Sequence, residues 1–149
     1  MRPVVVVGAH AAAVSRALRG LPVELVYNAA WSRGMGASLA AGVAALAPDV
    51  TTCVYLLADQ YAVTSDHLDE LLAAHARSDC DATLTRYDES GTRGPPALLA
   101  RRILPRAAAL RGERGVRGML RSGDRVVDVY FPDANRDVDV SRDIARLLK

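Results

Sequence analysis

Lysine is all but missing from this chain: of 19 basic residues only the last, Lys149, is a lysine, and the rest are arginine. No internal lysine is therefore available to hold a phosphate as a point charge. Cysteine is also scarce. Cys53 and Cys80 sit in apolar surroundings without CxxC or histidine-rich spacing, which excludes a disulfide framework and a zinc cluster and predicts two reduced packing thiols. Aromatic residues make up 5% of the chain. Charge of one sign does not dominate: the net value is +2, which gives no electrostatic case for nucleic-acid or membrane binding. No apolar run approaches the ~20 residues that span a bilayer. The opening Met1-Arg2-Pro3-Val4 has neither the length nor the cleavage pattern of a signal peptide, so the expected location is cytoplasmic.

Small and aliphatic residues fill the space. Half of the 149 residues are hydrophobic, mostly Ala, Val and Leu, and they are spread along the chain. That length suits a single domain over residues 1–149, burying roughly 70% of its unfolded surface without staples. Val4 to Val7 reads as a strand buried on both faces, as in parallel sheets covered by helices. A helix is expected from about His10 to Arg19, a strand at Val23–Tyr27, and a helix opening after Gly34 with Leu39, Val43 and Leu46 on one face. Cys53–Ala58 is the most apolar strand. Thr64-Ser65 then caps a helix whose buried stripe would be Leu68, Leu71 and Leu72. Strands follow at Ala82–Tyr87 and Val126–Phe131, with helical stretches to Leu110, from Gly112 to Leu120 and from Ser141 to Leu148. Alternation of this kind is the α/β signature, a mostly parallel sheet with helices on both faces as three α/β/α layers.

In such sheets ligands gather beyond the carboxyl ends of the strands. Asp59 stands there, directly after six apolar residues, and a carboxylate so placed either suits Mg²⁺ or caps a turn. Asp137 and Asp139 follow the last strand; two residues apart in extended backbone, they point opposite ways, so one of them would share a metal with Asp59. Capping the next helix is the alternative role for either. Gly36, Ala37 and Ser38 open a helix whose amides attract polar ligand edges, although the same glycines suit a tight turn. Arg93 offers a forked donor for phosphate and Gly94 lets a ligand approach the backbone. His10, His67 and His75 lack metal spacing and read as surface residues.

In order along the chain, these pieces resemble one family, the MobA-like nucleotidyltransferases, and within it the molybdenum cofactor cytidylyltransferase branch. Asn28-Ala29-Ala30-Trp31-Ser32-Arg33-Gly34-Met35-Gly36-Ala37-Ser38-Leu39 resembles its N-x-x-W-x-x-G-[ML]-x-x-S-L, and Leu56-Leu57-Ala58-Asp59-Gln60 its L-x-A-D-Q-P. Arg93-Gly94-x-Pro96, Leu110 to Arg117 and Asp137 to Asp143 follow in the family's order. The resemblance implies a Rossmann-like nucleotidyltransferase fold of the nucleotide-diphospho-sugar transferase type. It also implies transfer of CMP from CTP to the phosphate of a molybdopterin cofactor, with Mg²⁺ and release of pyrophosphate. Carried over by position, Asp59 and Asp139 (or Asp137) become the metal and catalytic carboxylates. Gly36, Ala37 and Ser38 would face the nucleotide, and Arg93 and Gly94 the pterin.

The chain also departs from that pattern. The family opens with a strand and the loop L-x-A-G-x-S-x-R-M-G-x-x-K, whose amides, Arg and Lys hold the triphosphate, whereas this sequence starts at what resembles the family's second strand. The expectation is a domain truncated at its N-terminus, with pairing to a second copy or a partner chain. The family's Pro after D-Q is Tyr61 here, and T-P-E-D has become Val140-Ser141-Arg142-Asp143. A short paralogue that binds a ligand or partner without catalysis is the alternative, as is a nucleotide-sugar transferase of the same fold. The Asn28–Leu39 motif argues against the latter.

Overall fold

The computed structural model describes residues 2–138. The chain forms two compact units, Met1–Thr51 with Arg101–Arg121 and Thr52–Ala100 with Ser122–Lys149.

In the first unit β1 (Val4–Val7) and β2 (Glu24–Tyr27) pair in parallel, Val4 opposite Glu24 and Val7 opposite Tyr27, and α1 (Ala11–Ala17) makes the crossover. Parallel neighbours need such a connection because their ends lie at opposite edges. α2 (Met35–Ala44) packs on both strands and on α4 (Leu104–Ala108), and α5 (Val116–Met119) packs on α4. Alanine and glycine let α2 approach closely; a Cβ at Gly42 would meet the Val6 side chain at 3.0 Å. Leu39, Ile103, Ala107, Val116 and Met119 close this core.

The helix expected over Gly112–Leu120 shrinks to one turn. Gly112 adopts the left-handed φ of 69° and Gly115 is extended, so the backbone turns twice before Val116 starts the helix.

The second unit is a four-stranded sheet in the order β3-β5-β4-β6, formed by β3 (Thr52–Tyr55), β4 (Ala82–Arg86), β5 (Arg93–Ala100) and β6 (Val126–Tyr130). β4 and β6 are parallel, and β5 runs against both β3 and β4. Three strands thus point one way and β5 alone is reversed. α3 (Ser65–Arg77) covers β4, β5 and β6, with Thr64 Oγ1 accepting from the His67 amide at 3.3 Å as the expected cap. Leu71, Leu84, Leu98 and Leu99 are fully buried.

Three details differ from the sequence reading. The apolar stretch after Pro96 is part of β5, and its residues from Pro96 to Ala100 are buried. β3 stops at Tyr55, opposite Ala97. The partner positions beyond are Pro96 and Pro95, which have no N–H to continue the ladder. The buried face of α3 is His67, Leu71 and Ala74, while Leu72 is 44% exposed. His67 is therefore a core residue rather than a surface one, with the Thr85 hydroxyl oxygen accepting from its ring. The final helix and Asp139 lie outside the described residues.

Candidate functional site

β3, β4 and β6 share a direction, so their carboxyl ends form one rim of the second unit's sheet, and the start of the reversed β5 lies on that rim too. Asp59 follows β3 there and is exposed. Arg93 and Gly94 begin β5. The segment after β6 passes through a 3-10 turn, Pro132–Asn135, and returns to Asp59: the Val138 amide donates to the Asp59 carbonyl at 3.1 Å. That bond brings the Val138 backbone beside Asp59, with exposed Asp137 preceding it.

Carboxylates there offer the hard oxygen donors that Mg²⁺ or Mn²⁺ takes. No group of three His, Cys, Asp or Glu converges among the described residues. A cation held by two carboxylates would complete its shell with phosphate oxygens and water, the usual arrangement for Mg²⁺. Among the described residues, Asp59 and Asp137 offer oxygen donors of the kind such an ion takes.

Neighbouring groups are tied down. Nη1 of Arg93 donates to both carboxylate oxygens of Asp128 at 3.1 and 3.0 Å. A Cβ on Gly94 would sit 2.6 Å from the Tyr87 hydroxyl, which donates to the Pro95 carbonyl. Gly94 is thus needed for the passage of Tyr87 whether or not a ligand approaches. Burial pushes the Tyr55 hydroxyl up to about 12, helped by the negative charge of Asp59 and by Tyr87.

Gln60 contributes a contact that its position after Asp59 did not reveal. Its side-chain amide donates to Pro95 O at 2.9 Å and to Ala134 O at 2.6 Å. The only sequence signal was its place in the Asp59-Gln60 pair.

Gly36, Ala37 and Ser38 belong to the first unit. The Gly36 amide donates to Gly112 O at 2.9 Å, the Ala37 amide to Gly34 O at 3.1 Å, and both residues are buried. Ser38 Oγ accepts from Asn28 Nδ2 at 3.1 Å. A Cβ at Gly34 (φ 101°) would lie 2.5 Å from a Glu113 carboxylate oxygen. The two glycines of the loop thus serve its packing on residues 111–114, and the Gly36 amide is already used. A cleft of about 190 Å³ in this unit, lined by Val43, Leu46, Arg101 and Leu104 among others, contains none of the candidate residues.

Comparison with known proteins adds to this geometry. Residues 1–126 match the family model described as the MobA-like NTP transferase domain. Nicotine blue oxidoreductase of Paenarthrobacter nicotinovorans is 31% identical over 152 residues, covering 97% of this chain and 74% of that protein. The crystal structure of Rv0371c from Mycobacterium tuberculosis H37Rv superposes with a TM-score of 0.75 at 27% identity, over 99% of this chain and 75% of that one. A second structure of Rv0371c is a complex with manganese (TM-score 0.77, 24% identity, 99% and 77% covered). Molybdopterin-guanine dinucleotide biosynthesis protein A from Archaeoglobus fulgidus shares the fold (TM-score 0.68, 18% identity, 96% and 75% covered).

Proposed function

This chain belongs to the MobA-like NTP transferase family, and we propose that it transfers a nucleotidyl group, CMP from CTP, to the phosphate of a pterin cofactor. The observation that supports the reading is the hydrogen bond from the Val138 amide to the Asp59 carbonyl, by which the chain after β6 returns to Asp59 on the carboxyl rim. In the proposed reaction an oxygen of the pterin phosphate attacks the α-phosphorus of CTP. A new P–O bond forms, the α–β bridging bond breaks, and pyrophosphate leaves.

Asp59 and Asp139, with Asp137 as the alternative to the latter, would hold the divalent cation. There it would supply positive charge against that developing on the phosphates. The manganese complex of Rv0371c supports a cation of this class. Arg93 orients the acceptor phosphate from the same rim, and Gly94 shapes the backbone beside it. Gly36, Ala37 and Ser38 are the first unit's candidates for nucleotide contact.

Calorimetric titration of the chain with CTP and then GTP in Mg²⁺ tests this. CTP binding in the micromolar range that disappears on chelation is the expected result. Binding that ignores chelation, or no binding by folded protein, would overturn the assignment.

A second reading rests on the relative that is 31% identical and is named an oxidoreductase. In that case the fold would serve an oxidation–reduction. Turnover of nicotine blue by the chain, without any need for CTP, would favour it.

A further inference from the structure

Gln60 is 7% exposed, and both protons of its amide go to main-chain carbonyls, Pro95 O at 2.9 Å and Ala134 O at 2.6 Å. Carbonyls only accept, so the partners themselves identify which end of the amide is nitrogen. Its Oε1 is buried with no partner among the described residues. A side chain kept only to fill space would not bury an unsatisfied acceptor. What Gln60 supplies is a pair of donors in a fixed fork.

Each arm of the fork reaches a different part of the rim. Gln60 itself follows Asp59 in the turn after β3. Pro95 follows Arg93 and Gly94, and its carbonyl also accepts from Tyr87. Ala134 is fully buried and precedes Asp137 and Val138, whose amide returns to Asp59 O at 3.1 Å. Three segments separated by up to 74 residues therefore meet on one amide.

We propose that Gln60 is a positioning residue that sets the spacing between Asp59, the Ala134–Val138 segment that returns to it, and the acceptor-binding start of β5. The inference rests on the nucleotidyl-transfer reading of this rim, but its geometric core can be tested without nucleotide.

The experiment is amide hydrogen exchange by NMR on the ¹⁵N-labelled full chain, wild type and Gln60→Met, followed by Mn²⁺ titration. In Gln60→Met the Val138 amide is expected to exchange at least ~10-fold faster, while Thr83 and Leu98 in the sheet change less than ~2-fold. Mn²⁺ affinity is expected to fall by about tenfold. Val138 exchange that is unchanged, or that rises only in step with the sheet amides, would overturn the proposal, as would unaltered Mn²⁺ affinity. Should Gln60→Met fail to fold, the wild-type Gln60 side-chain amide protons decide. Slow exchange supports the clamp, and exchange at the rate of a free amide overturns it. A wild-type chain that binds no Mn²⁺ overturns the metal reading, and the exchange data alone then decide the clamp.

Discussion

The imidazole of His67 and the ring of Phe131 lie face to face, with centroids 4.2 Å apart and planes 13° apart. The hydrogen bonds around this pair determine the tautomer. Thr85 gives its one hydroxyl proton to Pro96 O at 2.8 Å, so its oxygen must accept from His67 Nε2–H, also at 2.8 Å. Nδ1 is then the bare nitrogen, buried and without a partner among the described residues.

The first prediction concerns pH. Burial pushes His67 below its ordinary value, and the Glu70 carboxylate opposes this only in part. In the unfolded chain the ring takes a proton near pH ~6.5. In the folded chain it does so at lower pH, so between the two the unfolded state binds more protons and stability falls as pH falls. His67→Phe keeps the stack and leaves Thr85 bonded to Pro96. Melting curves between about pH 7.5 and 5 should show wild type losing stability faster than the variant below pH ~6.5, by up to ~1.4 kcal/mol per pH unit. Parallel profiles would mean that His67 does not titrate in this way.

Asp59 is exposed, so removing its charge should leave the fold intact. Asp59→Asn is expected to weaken binding of CTP with Mg²⁺ at least ~10-fold, or ~1.4 kcal/mol, with an unchanged melting temperature. Equal affinity in calorimetry would remove Asp59 from the metal site.

Arg93 and Asp128 pair with both side chains partly in water, 41% and 29% exposed. Such pairs contribute about 1 kcal/mol or less. Denaturant curves for Arg93→Ala and Asp128→Asn should therefore show only small losses. Arg93→Ala alone should weaken binding of a phosphate-bearing pterin by about tenfold. If both variants bind the pterin like wild type, the guanidinium has only its structural role.

A methyl group at Gly36 would lie 2.7 Å from Arg114 O and 3.0 Å from Gly112 O, both main-chain atoms. Gly36→Ala should destabilise by about 1–3 kcal/mol through that overpacking. Gly123→Ala meets nothing within 4 Å and serves as the control, with a change below ~0.5 kcal/mol. Similar thermal melts for the two would contradict the packing of residues 111–114 on the start of α2.

Local chemistry was legible from the residues alone. The valine run gives β1, Thr64 caps α3, and the alternation of strands and helices gives the α/β class. Asp59 could be singled out as a candidate because an abrupt carboxylate after an apolar strand stands out along the chain. The family, too, could be read from motifs in order, and the match over residues 1–126 agrees. None of these needs knowledge of a distant partner.

What the residues did not reveal depends on partners far along the chain. The early end of β3 depends on the prolines that face it from β5. The burial of His67 depends on a hydroxyl in β4, and the engagement of Arg93 on a carboxylate 35 residues away. The role of Gln60 depends on two carbonyls, one of them 74 residues away. A sequence specifies periodicity, caps and turn chemistry because these act between neighbours. Only the tertiary structure decides which buried polar groups meet, since a donor is satisfied by whatever acceptor the folded chain brings within 3 Å or so.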